Sequence, residues 1–238
     1  MAVKIVACAI GGVFAALFAL GPAGADDPTE DDLFEAADQI AGFPGVEDLF
    51  KMCPADYWAS RRPWWRAVFG EGREWRLASC QQDLSQCVKD CVDGHKGSAC
   101  TSVAQVLQEH DDETFDQDVR YGFALGCALG SATGCTNRGA GIRNYLTDID
   151  PFMNVDWKTR HVCLVRTFAV ACAAGSAWGC SMEGQAYRLG EGVKTDFTKA
   201  RARFNRACRL SPGVERDEPG YGSCRFARRQ LSYMVDNE

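Results

Sequence analysis

Thirteen cysteines are the most conspicuous reactive groups in this 238-residue chain, followed by three histidines and two carboxylate runs. Thiols at such density either cross-link in an oxidising compartment or hold metal. Cys87, Cys91 and His95 fall four apart and could share one helical face, a spacing metals exploit. But Cys91 also belongs to a recurring cysteine pair and His95 lies in a Gly-rich turn, so neither metal nor cofactor is expected. His95, His110 and His161 are scattered singly and form no zinc-hydrolase cluster. No Ser-x-x-Lys, Ser-Asp-Asn or Lys-Thr-Gly occurs, nor any Gly-x-Ser-x-Gly, P-loop, dinucleotide fingerprint or Cys-x-x-Cys-His. The runs Glu109-His-Asp-Asp-Glu113 and Asp148-Ile-Asp150 read as solvated loop charge. These residue types therefore point to cross-linking and binding more than to catalysis.

The cysteines repeat. Cys91, Cys127, Cys172 and Cys208 are separated by 36, 45 and 36 residues, and each is followed by a second cysteine, Cys100, Cys135, Cys180 and Cys224. Two copies are nearly literal: Cys127-Ala-Leu-Gly130-Ser131-Ala132-Thr-Gly134-Cys135 and Cys172-Ala-Ala-Gly175-Ser176-Ala177-Trp178-Gly179-Cys180. A diverged copy runs Cys91-Val-Asp-Gly94-His95-Lys-Gly97-Ser98-Ala99-Cys100. A glycine three places after the first cysteine suits the left-handed residue that closes a helix, and Ser98, Ser131 and Ser176 suit the N-cap of the next. Each pair then sits on adjacent antiparallel helices, close enough for a disulfide. Closing a loop of about nine residues stabilises by roughly 2–3 kcal/mol in the chain-entropy model.

Met1-Ala2-Val3-Lys4, an apolar core from Ile5 to Leu20 and Ala23-Gly24-Ala25 form the layout of a secretory signal peptide, with cleavage near Ala25. Cleavage removes Cys8 and leaves twelve cysteines, an even number suited to a disulfide framework. The mature chain is thus expected in a periplasm or outside the cell, not spanning a membrane, and monomeric. A net charge of −6 argues against nucleic-acid binding, which needs a basic face.

Between the cysteine pairs the chain reads as helix pairs. Ser181 to Leu189 is a helix stopped by Gly190, Glu191-Gly192-Val193 is a turn, and Asp196 caps a helix running to Leu210, with Ala200, Phe204 and Ala207 inward and Lys199, Arg203 and Arg206 solvated. The stretch Gly184-Gln-Ala-Tyr187-Arg-Leu189-Gly190-Glu-Gly192-Val193-Lys-Thr-Asp196-Phe-Thr-Lys199-Ala200 resembles a Sel-one-like repeat, a relative of the tetratricopeptide repeat. With cysteines at both ends of the hairpin it is similar to that family's secreted cysteine-rich branch, which includes penicillin-binding proteins described as β-lactamases. The resemblance covers 180–208 most fully, 164–180 fairly and 91–163 only approximately. Glu183 stands where the pattern has Leu, an insertion falls near Thr147 to Trp157, and the last loop is stretched from Pro212 to Gly222.

The expected fold is all-α, an α/α superhelical solenoid of disulfide-stapled hairpins spanning 73–238 with a C-terminal capping helix from Arg225 to Tyr233. Residues 26–72 would form an acidic, unstructured lead (Asp26 to Asp32) and a capping segment: helices at Leu33 to Ile40 and Val46 to Met52, then a cap core of Tyr57, Trp58, Trp64 and Trp65 beside Arg61 and Arg62. Glu74 to Cys91 reads as one helix, which would keep Cys80 and Cys87 two turns apart and unable to join each other. Cys53 is then expected to pair with Cys80 or Cys87, leaving Cys163 with a distant partner or free. The expected work is binding of a protein, a peptide or cell-envelope material on the concave face, with Trp178, Tyr187 and Arg188 as contacts. The family resemblance implies the alternative, a penicillin-binding protein with weak β-lactam hydrolysis.

Overall fold

The computed structural model describes residues 27–65, 74–110, 113–144, 148–211 and 221–235. The expected signal peptide, the boundary at 72/73 and most of the stretched last loop lie outside the described residues. Among them every regular element is helical: α1 (Glu30–Ala41), α2 (Val46–Lys51), α3 (Pro54–Tyr57), α4 (Leu77–Gln82), α5 (Leu84–Val92), α6 (Gly97–Glu109), α7 (Asp116–Ala128), α8 (Ala132–Asn144), α9 (Trp157–Ala173), α10 (Ala177–Leu189), α11 (Phe197–Leu210) and α12 (Tyr221–Val235), with short 3-10 turns at Glu113–Phe115 and Pro151–Asn154. No helix among the described residues is long and apolar enough to cross a membrane.

From α5 to α12 each helix packs on the next. Alternate helices also touch along one row, α6 on α8, α8 on α10 and α10 on α12. Six disulfides are formed: Cys53–Cys163, Cys80–Cys87, Cys91–Cys100, Cys127–Cys135, Cys172–Cys180 and Cys208–Cys224. That number marks a chain that folds in an oxidising environment. The last four join consecutive helices at their shared ends with Cα separations of 4.4–4.7 Å. In the middle two the glycine before the second cysteine permits the approach: a Cβ on Gly134 would stand 2.9 Å from Cys127 N, and one on Gly179 2.9 Å from Cys172 N.

Glu74 to Cys91 is two helices, not one. At Asp83 (φ −149°, ψ 66°) the chain leaves the helical region, and the Asp83 carboxylate restarts it by accepting from Gln86 N at 3.2 Å. The break folds α4 back on α5 and brings Cys80 and Cys87 to a Cα separation of 5.4 Å, so they pair with each other. Cys53 pairs instead with Cys163, 110 residues away.

The N-terminal third is also more integral than a lead and an end cap. Thr29 and Asp32 form a reciprocal capping box, so α1 begins at Glu30 inside the acidic stretch. Helix α1 rests on α5, α6 and α7, α2 on α7, and α3 on α7, α8 and α9, so the segment lies along the array instead of covering one end. Leu33, Ile40, Val46, Leu49, Phe50 and Tyr57 join the main core with residues of α5–α7. Of the expected aromatic core only Tyr57 is buried; Trp58 is half-buried, while Trp64 and Trp65 are exposed.

Arg138 anchors this segment. Fully buried, it donates from Nη1 to Asp150 Oδ2 (2.7 Å) and from Nη2 to Phe50 O (3.1 Å), and its guanidinium lies 4.6 Å from the Phe50 ring centroid. Asp150 also accepts from Arg120 Nη1 (2.8 Å), and Arg120 reaches Asp116. Burial works against the Asp150 charge, yet the Arg138 hydrogen bonds and charge, Phe152 N–H and Arg120 outweigh it and hold the carboxyl below its usual range. The carboxylate is thus a structural counter-ion, not solvated loop charge.

A second buried charge stands at position 183. Glu183 is buried, and Arg203 crosses from α11 to meet its Oε2 at 2.7 Å. Arg203, expected in solvent, is therefore the partner that lets a carboxylate stand buried at position 183. Ala200, Phe204 and Ala207 are fully buried on the same helix.

Candidate functional site

The disulfide-linked turns lie side by side, and their edge forms a cleft of about 420 Å³. Its walls are Ser98 from the first turn of α6, Gly130 and Ser131 from the turn before α8 with Ala132 and Thr133 at its start, and Ala174 to Ser176 from the turn before α10, with Glu74 at one side. Local sequence makes the walls. Gly130 (φ +93°) and Gly175 (φ +100°) take the left-handed conformation that ends α7 and α9. Ser131 Oγ accepts from Gly134 N (3.1 Å) and Ser176 Oγ from Gly179 N (3.0 Å), starting α8 and α10. The diverged copy differs: His95, not Gly94, has the positive φ (50°), α6 starts at Gly97, and Ser98 Oγ accepts from Trp75 N (3.3 Å) instead of capping.

A hydroxyl after three of the four second cysteines bonds across to the next turn or helix. Thr101 Oγ1 donates to Ser131 Oγ (2.8 Å), Thr136 Oγ1 pairs with Ser176 Oγ (2.9 Å), and Ser181 Oγ donates to Ser223 O (3.0 Å). Sequence reading missed these residues. The signal was present as Cys100-Thr101, Cys135-Thr136 and Cys180-Ser181, a recurrent hydroxyl in a slot otherwise suited to an apolar residue.

Trp75, fully within the core edge beside the cleft, is fixed by Nε1–H donating to Asp90 Oδ2 (2.7 Å), and Lys96 Nζ donates to the same oxygen. Burial opposes the Asp90 charge, but the bonds from Lys96, Trp75 and Gln86 prevail and lower its pKa.

The residues expected as contacts do not converge. Trp178, at the start of α10, stands 37 % exposed with its ring 5.8 Å from Phe226, and a Cβ on Gly222 would come within 3.0 Å of it. Tyr187, near the other end of α10, packs on the C-terminal core and lies under Lys199 Nζ at 5.3 Å. Arg188, its neighbour, is half-buried. Trp178 and Tyr187 thus serve contacts between helices, and none of the three lines the cleft. Cys87 and Cys91 are both oxidised, which removes the thiolates a metal would need beside His95. His161 stacks on Trp157, and Glu109 accepts from Gln81.

Chemically the cleft offers the hydroxyls of Ser98, Ser131, Thr133 and Ser176, of which Ser131 and Ser176 are engaged in capping bonds, together with backbone groups and one carboxylate, and no histidine, lysine or arginine among the described residues of its walls. No protein-family model, curated protein or solved structure matches the chain.

Proposed function

We propose that this chain is an exported binding scaffold, an α/α solenoid of disulfide-stapled Sel-one-like hairpins whose ligand is a protein, a peptide or cell-envelope material. Export with cleavage near Ala25 places it in a periplasm or outside the cell. The observation that carries the reading is the cleft: equivalent turns from successive helix pairs line up into one open surface, built from small residues and backbone. Repeat arrays use such extended surfaces for recognition, because each added pair lengthens the surface without adding a catalytic group.

The test is exposure of the native, oxidised protein to a chromogenic cephalosporin, followed by intact mass measurement, with a Cys172→Ser/Cys180→Ser double variant as the control for fold. The scaffold reading expects neither turnover nor a covalent adduct. Turnover that disappears in the double variant would overturn it in favour of a penicillin-binding protein with weak β-lactamase activity.

A further inference from the structure

The two nearly identical turns have different neighbours. On the first, residues 57–62 form a tight turn of their own: Ser60 N–H donates to Tyr57 O and Arg62 N–H to Ala59 O, with Ala59 at φ +52°. This turn is laid on the end of α7. Ala59 N–H donates to Cys127 O (3.2 Å), Arg61 N–H donates to Ala128 O (3.0 Å), and Arg62 crosses Gly130, where a Cβ would stand 3.1 Å from its Cδ. Ala128 and Leu129 are fully buried as a result.

On the second turn Ala173, Ala174 and Gly175 are exposed, and a Cβ at Gly175 would meet nothing within 4 Å among the described residues. The acceptors are the same. Cys172 O takes the Gly175 N–H just as Cys127 O takes the Gly130 N–H, and Cys127 O shows that this oxygen accommodates a second donor. Ala173 O accepts from Arg206 Nη2 at 3.2 Å and keeps its other lone pair. Both turns end a helix, where the macrodipole favours a cation; on the first turn Arg62 lies across Gly130, and on the second Arg206 reaches Ala173 O and leaves Gly175 uncovered. Gly130, against which Arg62 lies, and Gly175 both line the cleft.

We infer that the Cys172–Ser176 turn is a docking site for an arginine-bearing tight turn of a partner polypeptide, seated as residues 57–62 are seated on Cys127–Ser131. The inference rests on the scaffold reading and names its ligand class. Two peptide N–H groups would meet Cys172 O and Ala173 O, and the arginine would cross Gly175 toward the cleft.

The probe is a synthetic peptide of residues 56–64 carrying Ala59→Gly, which favours the left-handed residue, titrated into the full, oxidised protein and followed by amide chemical shifts. Saturable shifts are expected at 172–176 and at the cleft residues beside them. Placing the exposed substitution Ala174→Lys in the protein, or Arg62→Glu in the peptide, is expected to weaken binding at least about tenfold. The Lys side chain suits a helix C-terminus, so unchanged shifts elsewhere check the fold. No saturable shift at millimolar peptide, shifts confined to 127–131, or equal binding by the Arg62→Glu peptide would overturn the inference. Those failures leave the scaffold reading standing, whereas cephalosporin turnover would overturn that reading without changing the titration.

Discussion

Cys127–Cys135 and Cys172–Cys180 share a buried disulfide, a left-handed glycine, a capping serine and the small residue before the second cysteine, yet Ala128 and Leu129 of the first turn are buried while Ala173 to Gly175 of the second are exposed. The difference does not lie in the turn's backbone or caps, which the two share; within the nine residues only Leu129/Ala174 and Thr133/Trp178 differ. It comes from residues 57–62, which cover the first turn and stop short of the second, and from the anchors that hold them: Arg138 on Phe50 O, and Cys53–Cys163. A repeat fixes local geometry, while what lies across it decides which copies remain available to a ligand.

The largest way to break the comparison is to remove the anchor. Asp150→Asn leaves Arg138 buried with its charge unmatched and is expected to cost about 3–5 kcal/mol, measured by urea unfolding. It should also free residues 57–62, making the first turn exchange amide hydrogens like the second. Opening the staples is the next largest effect: Cys172→Ser/Cys180→Ser is expected to lose roughly 2–3 kcal/mol. The corresponding Cys127→Ser/Cys135→Ser variant should lose a similar amount globally but less order locally, since the covering turn remains. Heteronuclear relaxation of the two turns would show whether that is so.

At the Glu183–Arg203 pair, Glu183→Ala is expected to destabilise because the carboxylate's partner loses its counter-charge at the helix contact. Glu183→Leu with Arg203→Met restores an apolar contact between α10 and α11 and should leave stability unchanged or raise it, read from the midpoint of thermal unfolding. The smallest effect is with pH. Asp90 and Asp150 have folded pKa values below their unfolded ones, so each contributes stability that is fully present above about pH 4 and lost as pH falls through the folded value. Acid unfolding should therefore begin below about pH 4, and Asp90→Asn should flatten that part of the curve.

Much of the helical fold was legible because its signals were local. Gly190 (φ +75°) ends α10, the Asp196 carboxylate accepts from Lys199 N at 2.9 Å to start α11, and Ala200, Phe204 and Ala207 share the buried face. What was not legible depended on single polar residues with two readings. Asp83 falls inside the stretch read as one helix and is the cap that breaks it, which reverses the conclusion about Cys80 and Cys87. Asp150 looked like loop charge and is a buried counter-ion because two arginines from other helices meet it. The Cys53–Cys163 bond and the path of residues 57–62 are long-range facts, and no local spacing encodes them. The cleft was half visible, since Gly130, Ser131, Gly175 and Ser176 were singled out as turn and cap residues, but their alignment into one wall follows from the stacking of helices.

The central claim, that the cover of residues 57–62 separates the two turns, is tested most directly by native-state amide hydrogen exchange at 128–131 and 173–176. Exchange at 128–131 is expected to be at least about tenfold slower in the wild-type protein, with the difference abolished in Asp150→Asn. Equal exchange at the two turns in the wild type, or a difference that survives in Asp150→Asn after residues 57–62 have been released, would contradict it.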